Sequence, residues 1–223
     1  YQEGLRIPPV ALYQGGKLNE DIYEILLSNI RGPHERAADI RAHMAALQVA
    51  ERRIHELAER FGVDDLIAYM RALIDYSETR LEKAILNGPE GTWCATDYLD
   101  DDLGSDDPIP VKVKVSIQHK PKPSIIADFT GTGPAARWGI NVAGHGTWQM
   151  VIGVFRNLLV DETVPINAGF LKPFTVVMPE NSLINAKPPT AVGARTETTY
   201  LIRDSILAAV MDAFPDKARG PWH

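Results

Sequence analysis

The chain has 223 residues, 45% hydrophobic and 23% charged, which is ample for a sizeable core and argues against disorder. A formal net charge of −6 with no basic block argues against a nucleic-acid surface. No apolar run approaches membrane-spanning length, and a single cysteine, Cys94, rules out an intramolecular disulfide and a cysteine metal cluster, so a reducing cytoplasm is the expected setting.

Residues 1–18 read as an extended arm, because Pro8-Pro9 forbid a helix and Gly15-Gly16 turn the chain. Asn19 then caps a helix carrying Ile22, Ile25, Leu26 and Ile30, which Gly32-Pro33 ends. From His34 to Phe61 runs a segment without internal Gly or Pro. In it Ile40, Leu47, Ile54 and Phe61 recur every seven residues, with His43, Ala50 and Leu57 three positions after the first three. Asp64-Asp65 open the next helix, whose stripe is Leu66, Met70, Leu73, Ser77, Leu81 and Ala84. Two long helices joined by one short turn predict an antiparallel hairpin with Leu47 and Ile54 in its seam. His43 on that seam reads as a hydrogen-bonded core residue and not as a ligand.

At Gly91 the period changes to two. Thr92–Leu99, Val111–Ile117 and Pro123–Phe129 predict three strands of an antiparallel meander. The first connection holds Asp100, Asp101, Asp102, Asp106 and Asp107. It lacks the calcium-loop pattern, so a solvated loop is expected and no metal ligand is assigned in this chain.

The stretch from Ile125 to Leu159 reads as strand, glycine turn, helix. Asp128 stands at the mouth of the turn, followed by Thr130 and Gly131. A second small-residue segment from Asn141 to Gly146 leads into a helix with Trp148, Ile152, Phe155 and Leu159 on one face and Thr147 as N-cap. In one reading Asp128, Thr130, Gly131, Asn141 and His145 converge on a ligand-binding rim whose amides favour an anion. In the other, Asp128 caps a turn and His145 bonds to backbone. The glycine spacing fits neither a phosphate-binding loop nor a dinucleotide fingerprint.

After a turn at 167–170, Phe174–Met178 reads as a strand and Leu183–Asn185 as a short one, stopped by Pro188-Pro189. The last helix, expected over 197–214, carries Ile202, Ile206, Ala209, Val210 and Phe214. Arg195, Glu197 and Thr198 stand at its start, where side chains act on a ligand or merely cap. The fold class is α+β: an arm and helical hairpin over 1–90, then an antiparallel β-rich part with two packed helices over 91–223.

Six stretches carry a resemblance: GLRIPPVALYQGGKLNEDI (4–22), ERAADIRAHMAALQVAERRIHEL (35–57), ATDYLDDD (95–102), ADFTGTGP (127–134), INAGFLKP (166–173) and NSLINAKPPTAVGARTETT (181–199). Together, in this order, they resemble the hydantoinase B/oxoprolinase family, the B-type parts of ATP-dependent hydantoinases, oxoprolinases, lactamases and ketone carboxylases. The resemblance implies a piece of a longer polypeptide in a hetero-oligomer with an A-type ATP-binding subunit. ATP and Mg would sit on that partner. A divalent metal, Mn or Zn, would be held by His and Asp upstream of Tyr1. The implied activity is opening of a cyclic amide, and the resemblance carries Glu197 and Thr198 into its site, while the 144–148 stretch is unlike the common hydantoinase sequence. With the rim read above, Glu197 and Asp128 are the expected catalytic carboxylates and Arg195, Thr198, Asn141, His145, Thr130 and Gly131 the residues expected around the substrate. Where hydantoinase-like members typically have Gly-Gly-Asn-Val-Glu-Thr, this chain has Gly193 to Thr198 with Arg195 replacing Asn. A cation there suits an anionic reactant, which keeps an aryl-ketone carboxylase open, as is a non-catalytic assembly core.

Overall fold

The computed structural model describes residues 5–101 and 107–217, so Asp102 and Asp106 of the acidic loop lie outside the described residues. The architecture is α+β, and the chain divides into two compact units at Met70/Arg71.

In the first unit β1 (Tyr13–Gln14) pairs antiparallel with β2 (Lys17–Leu18) across Gly15-Gly16. Helix α1 (Glu20–Ser28) starts as its sequence dictates, with the Asn19 carboxamide accepting from the Ile22 amide at 3.3 Å. Helix α2 (Pro33–Phe61) has Pro at its first position and meets α1, where Leu26 and Ala37 are the buried apolar residues. The seven-residue repeat of α2 is not a buried seam. Leu47 is 61% exposed and Ile54 50%, and His43 is exposed as well, which corrects the expectation for all three. Periodicity names the apolar face of a helix; it does not supply the surface that covers it.

Helix α3 (Val63–Asn87) runs across the division. Its second half belongs with the sheet, because Leu81 and Ile85 are fully buried in the main core, so the units part near residue 70 and not at 90. Strands β3 (Gly91–Leu99), β4 (Ile109–Gln118) and β5 (Ser124–Asp128) form the expected antiparallel meander. Along β4 the alternation is complete: Val111, Val113, Val115 and Ile117 are buried while Lys112, Lys114 and Gln118 face out. Helix α4 (Gly144–Leu159) and helix α6 (Thr196–Val210) pack on each other, and α6 covers β3 and β4. Val151, Val154 and Phe155 from α4 and Ile202, Ile206 and Val210 from α6 complete the core.

Between them the short helix α5 (Ala168–Leu171) is locked to α3. The Asn167 carboxamide accepts from the amides of Gly169 and Phe170 and donates to Leu73 O and Ser77 Oγ. A Cβ on Gly169 would lie 1.9 Å from Ile74 O, so only glycine lets the two backbones approach this closely. Glu78 of α3 forms ion pairs with Lys122 at 2.8 Å and with Lys172, and these lysines hold its carboxyl below the usual range.

Strand β6 (Phe174–Val177) joins β5 in parallel, so the sheet is mixed, with order β3-β4-β5-β6. This change of direction departs from the purely antiparallel expectation. Leu183–Asn185 is a turn and not a strand; the nearest pairing is a single bridge between Pro134 and Ser182. Helix α4 begins three residues before Thr147, with Ala143 as N-cap. Thr147 is instead fully buried and donates to Ile184 O at 2.6 Å. A 3-10 turn, Met211–Ala213, takes over from α6 before residue 214.

Candidate functional site

Parallel pairing of β5 and β6 has a geometric result: both strands release the chain at the same end of the sheet. The segments 129–143 and 178–195 therefore run side by side. Their backbones are laced by Phe129 N to Val177 O at 2.8 Å, Ala135 N to Asn181 O at 2.9 Å and Leu183 N to Gly133 O at 3.1 Å. Val142 N to Leu183 O and Ala194 N to Gly139 O, each at 2.8 Å, continue the lacing towards α6. Two stretches that the sequence keeps far apart thus share one rim.

At the strand end Asp128 Oδ1 accepts from the Thr130 amide at 2.9 Å and from its hydroxyl at 2.6 Å, while Oδ2 pairs with Lys114 Nζ at 3.1 Å. Gly131, at φ 92°, makes the turn that follows. The Thr130 hydroxyl and amide, then Lys114, hold the Asp128 carboxyl below its ordinary value. A carboxylate stabilised in this way is a weak base, so the arrangement suits a turn anchor better than a proton acceptor. Thr130 and Gly131 flank the same turn, and the Thr130 hydroxyl proton is committed to Asp128.

Farther along, Asn141 is fully buried, with Oδ1 accepting from Ala136 N at 2.7 Å. Its Nδ2 group faces Trp138 O at 2.7 Å and the carbonyls of Ala136 and Ala191, each at 3.0 Å. Thr198 is fully buried too, and its hydroxyl donates to Ile140 O at 2.6 Å. Both were expected to touch substrate. Their side chains serve backbone carbonyls instead, because a polar group removed from water must be paired within the protein.

Arg195 and Glu197, in contrast, are exposed at the start of α6. No side chain caps this helix, so Glu197 does not play the capping part; Thr199 Oγ1 donates to Arg195 O at 2.8 Å. The Arg195 guanidinium reaches Val192 O at 3.4 Å. His145 stands in the first turn of α4, another helix without a side-chain cap. Arg195, Glu197 and His145 are thus exposed side chains at the starts of two helices, whose terminal amides carry partial positive charge.

Among the described residues no group of three His, Cys, Asp or Glu could hold a metal ion. No helix among them is long and apolar enough to cross a membrane. Sequence reasoning missed Lys114 as the partner of Asp128. The signal was present in the alternation of β4, which sends Lys112 and Lys114 to one face, but the register pairing Lys114 with Asp128 was needed to use it.

The hydantoinase B/oxoprolinase family profile matches residues 1–223. The chain is 32% identical over 222 residues to the "Putative D-/L-hydantoinase" B-type subunit of Pseudomonas sp. (strain NS671), covering 96% of this chain and 38% of that one. It is 24% identical to the acetophenone carboxylase delta subunit of Aromatoleum aromaticum, across 96% of this chain and 30% of that relative. The crystal structure of the ATP-dependent caprolactamase from Pseudomonas jessenii superposes with a TM-score of 0.84 at 28% identity, covering 96% of this chain and 36% of that chain. The chain therefore spans between 30% and 38% of these relatives' length. With a profile matched from end to end and the same fold in a solved relative, this chain belongs to the hydantoinase B/oxoprolinase family.

Proposed function

We propose that this chain is the substrate-binding core of the B-type subunit of an ATP-dependent amidohydrolase that opens a cyclic amide of the hydantoin, oxoproline or lactam type. The observation that carries the reading is Glu197, an exposed carboxylate in the first turn of a helix with no side-chain cap, beside the exposed Arg195. An A-type partner subunit supplies ATP and Mg and phosphorylates the amide oxygen, which makes the ring carbon electrophilic. Water adds there, the ring C–N bond breaks with the nitrogen leaving as the protonated amine, and the acyl phosphate left behind is hydrolysed to carboxylate and phosphate. The helix-start amides and Arg195 favour the negative charge so created, and Glu197 accepts a proton from the attacking water. His145, Thr130 and Gly131 line the same rim, and Asp128 anchors its turn.

Membership of a hetero-oligomeric complex is supported by relatives that are themselves named as subunits and by the uncovered apolar stripe of α2. A second reading, an ATP-dependent aryl-ketone carboxylase, is favoured by Arg195, whose guanidinium suits an anionic one-carbon reactant.

Turnover of hydantoin, 5-oxoproline and caprolactam by the full B-type chain with its A-type partner tests the reading. Glu197→Gln should lower the rate on the accepted substrate roughly a hundredfold or more, as expected for loss of a general base. Arg195→Asn should change which substrate is accepted. Wild-type rate and selectivity in both variants would return the segment to a purely structural part.

A further inference from the structure

Arg195 and Glu197 stand at the end of a segment that has no regular strand pairing of its own between β6 and α6. Its placement depends on a small buried polar cluster. The carboxamide of Asn141 closes the 136–141 loop on itself through Ala136 N, Ala136 O and Trp138 O, and reaches across to Ala191 O. Two amide hydrogens thus face three carbonyls while the amide oxygen accepts from a backbone N–H, a combination that needs a carboxamide. Three residues before Glu197 and one after it, the chain is tied to the same loop: Ala194 N bonds to Gly139 O, and Thr198 Oγ1 bonds to Ile140 O.

We propose that Thr198, with Asn141, is a positioning residue, a buried latch that fixes the 136–141 loop against the start of α6 and so sets where Glu197 and Arg195 stand. This rests on the reading of Glu197 given above. Thr198 neighbours Glu197 in sequence but projects inward, so its hydroxyl anchors the first helical turn while Glu197 projects to the surface. The anchor is short and buried, where a hydrogen bond is electrostatically strong and an unpaired carbonyl is unfavourable. Because a misplacement of about 1 Å in a catalytic group is enough for a hundredfold loss, a group that never touches substrate can govern turnover.

Thr198→Val keeps the shape and removes the donor; Thr198→Ser restores it. In the full B-type chain, amide hydrogen exchange read by mass spectrometry should rise at least roughly tenfold over 136–141 and 192–199 in the Val variant. Exchange over 111–117 should stay at the wild-type rate, and the Ser variant should behave as wild type. In the complex with the A-type partner, Thr198→Val should lower kcat roughly tenfold to a hundredfold with little change in KM. In a Glu197→Gln background the same change should lower kcat by much less than in the wild-type background, because the latch acts chiefly through that carboxylate and only in smaller part through Arg195. Unchanged exchange over 136–141 overturns the latch, and so does an equal drop in kcat in both backgrounds. Raised exchange together with wild-type turnover in Glu197→Gln upholds the latch and overturns Glu197 as the base, so the two failures are distinct. If the Val variant does not fold, Asn141→Gln is read by the same exchange experiment, with the same outcomes.

Discussion

Leu47 on α2 and Phe155 on α4 both belong to the apolar stripe of a helix, yet the first is 61% exposed and the second is fully buried. The stripes look alike in sequence. What differs is the covering surface: α4 lies in a unit that also contains a sheet with a solid apolar face and a second helix to share it, whereas α2, in the other unit, packs against the short α1 and touches α3 through Phe61 and Tyr69. Amphipathic spacing is a property of one element, and burial is a property of two.

The contrast is open to direct attack. Phe155→Ala should destabilise the chain by about 3–5 kcal/mol in urea denaturation, because it empties a site packed against Phe174 at 6.1 Å between ring centroids. A loss below about 1 kcal/mol would show that the core collapses around the gap and that the β-rich unit is no better packed than α2. Gly169→Ala comes next. Its methyl meets the Ile74 carbonyl, and the expected loss is about 1–3 kcal/mol or more by thermal melting; an unchanged melting temperature would mean that α5 and α3 are not held in the close approach described.

A smaller effect is expected at Asp128, where electrostatics adds to packing. Its folded carboxyl is depressed below the ordinary value of 3.8 by the Thr130 hydrogen bonds and Lys114. The stabilisation is therefore present in full above that value and is lost as pH falls through the folded value, since the unfolded chain binds its proton first. Asp128→Asn should lower stability by about 1–2 kcal/mol at neutral pH and give a shallower decline below about pH 4. Equal acid slopes for variant and wild type would remove Asp128 from the stability of the turn. The smallest effect belongs to α2: Leu47→Ala or Ile54→Ala should change the stability of the chain alone by less than about 0.5 kcal/mol. A loss of about 2 kcal/mol or more, the magnitude for a core leucine, would erase the difference between the two units.

Much of the fold was legible because local rules decide it. The Asn19 cap, the three-strand meander and the long unbroken helices follow from short-range pattern and turn chemistry. The parallel direction of β6 was not legible, since Val176 and its neighbours read alike in either direction and the choice lies with the long connection before them. The candidate site was read in part. Glu197 and Arg195 do stand exposed at a helix start, but Asn141 and Thr198 were given to the substrate when their side chains bond to backbone. A polar residue among small ones reads the same in sequence whether its side chain points outward to a ligand or inward to a carbonyl; only the fold gives the direction.

The pairing of β5 with β6 also has a consequence in time. Across the β4–β5 turn, Gln118 faces Ser124 after a handful of residues, whereas Ile125 meets Phe174 only after a closure of about fifty. Local hairpins form early and distant pairings late, because the entropy of closing a long loop must be met before any contact rewards it. The meander can therefore exist as a nascent structure with no rim at all, and the segment bearing Arg195 and Glu197 acquires its place only when β6 docks.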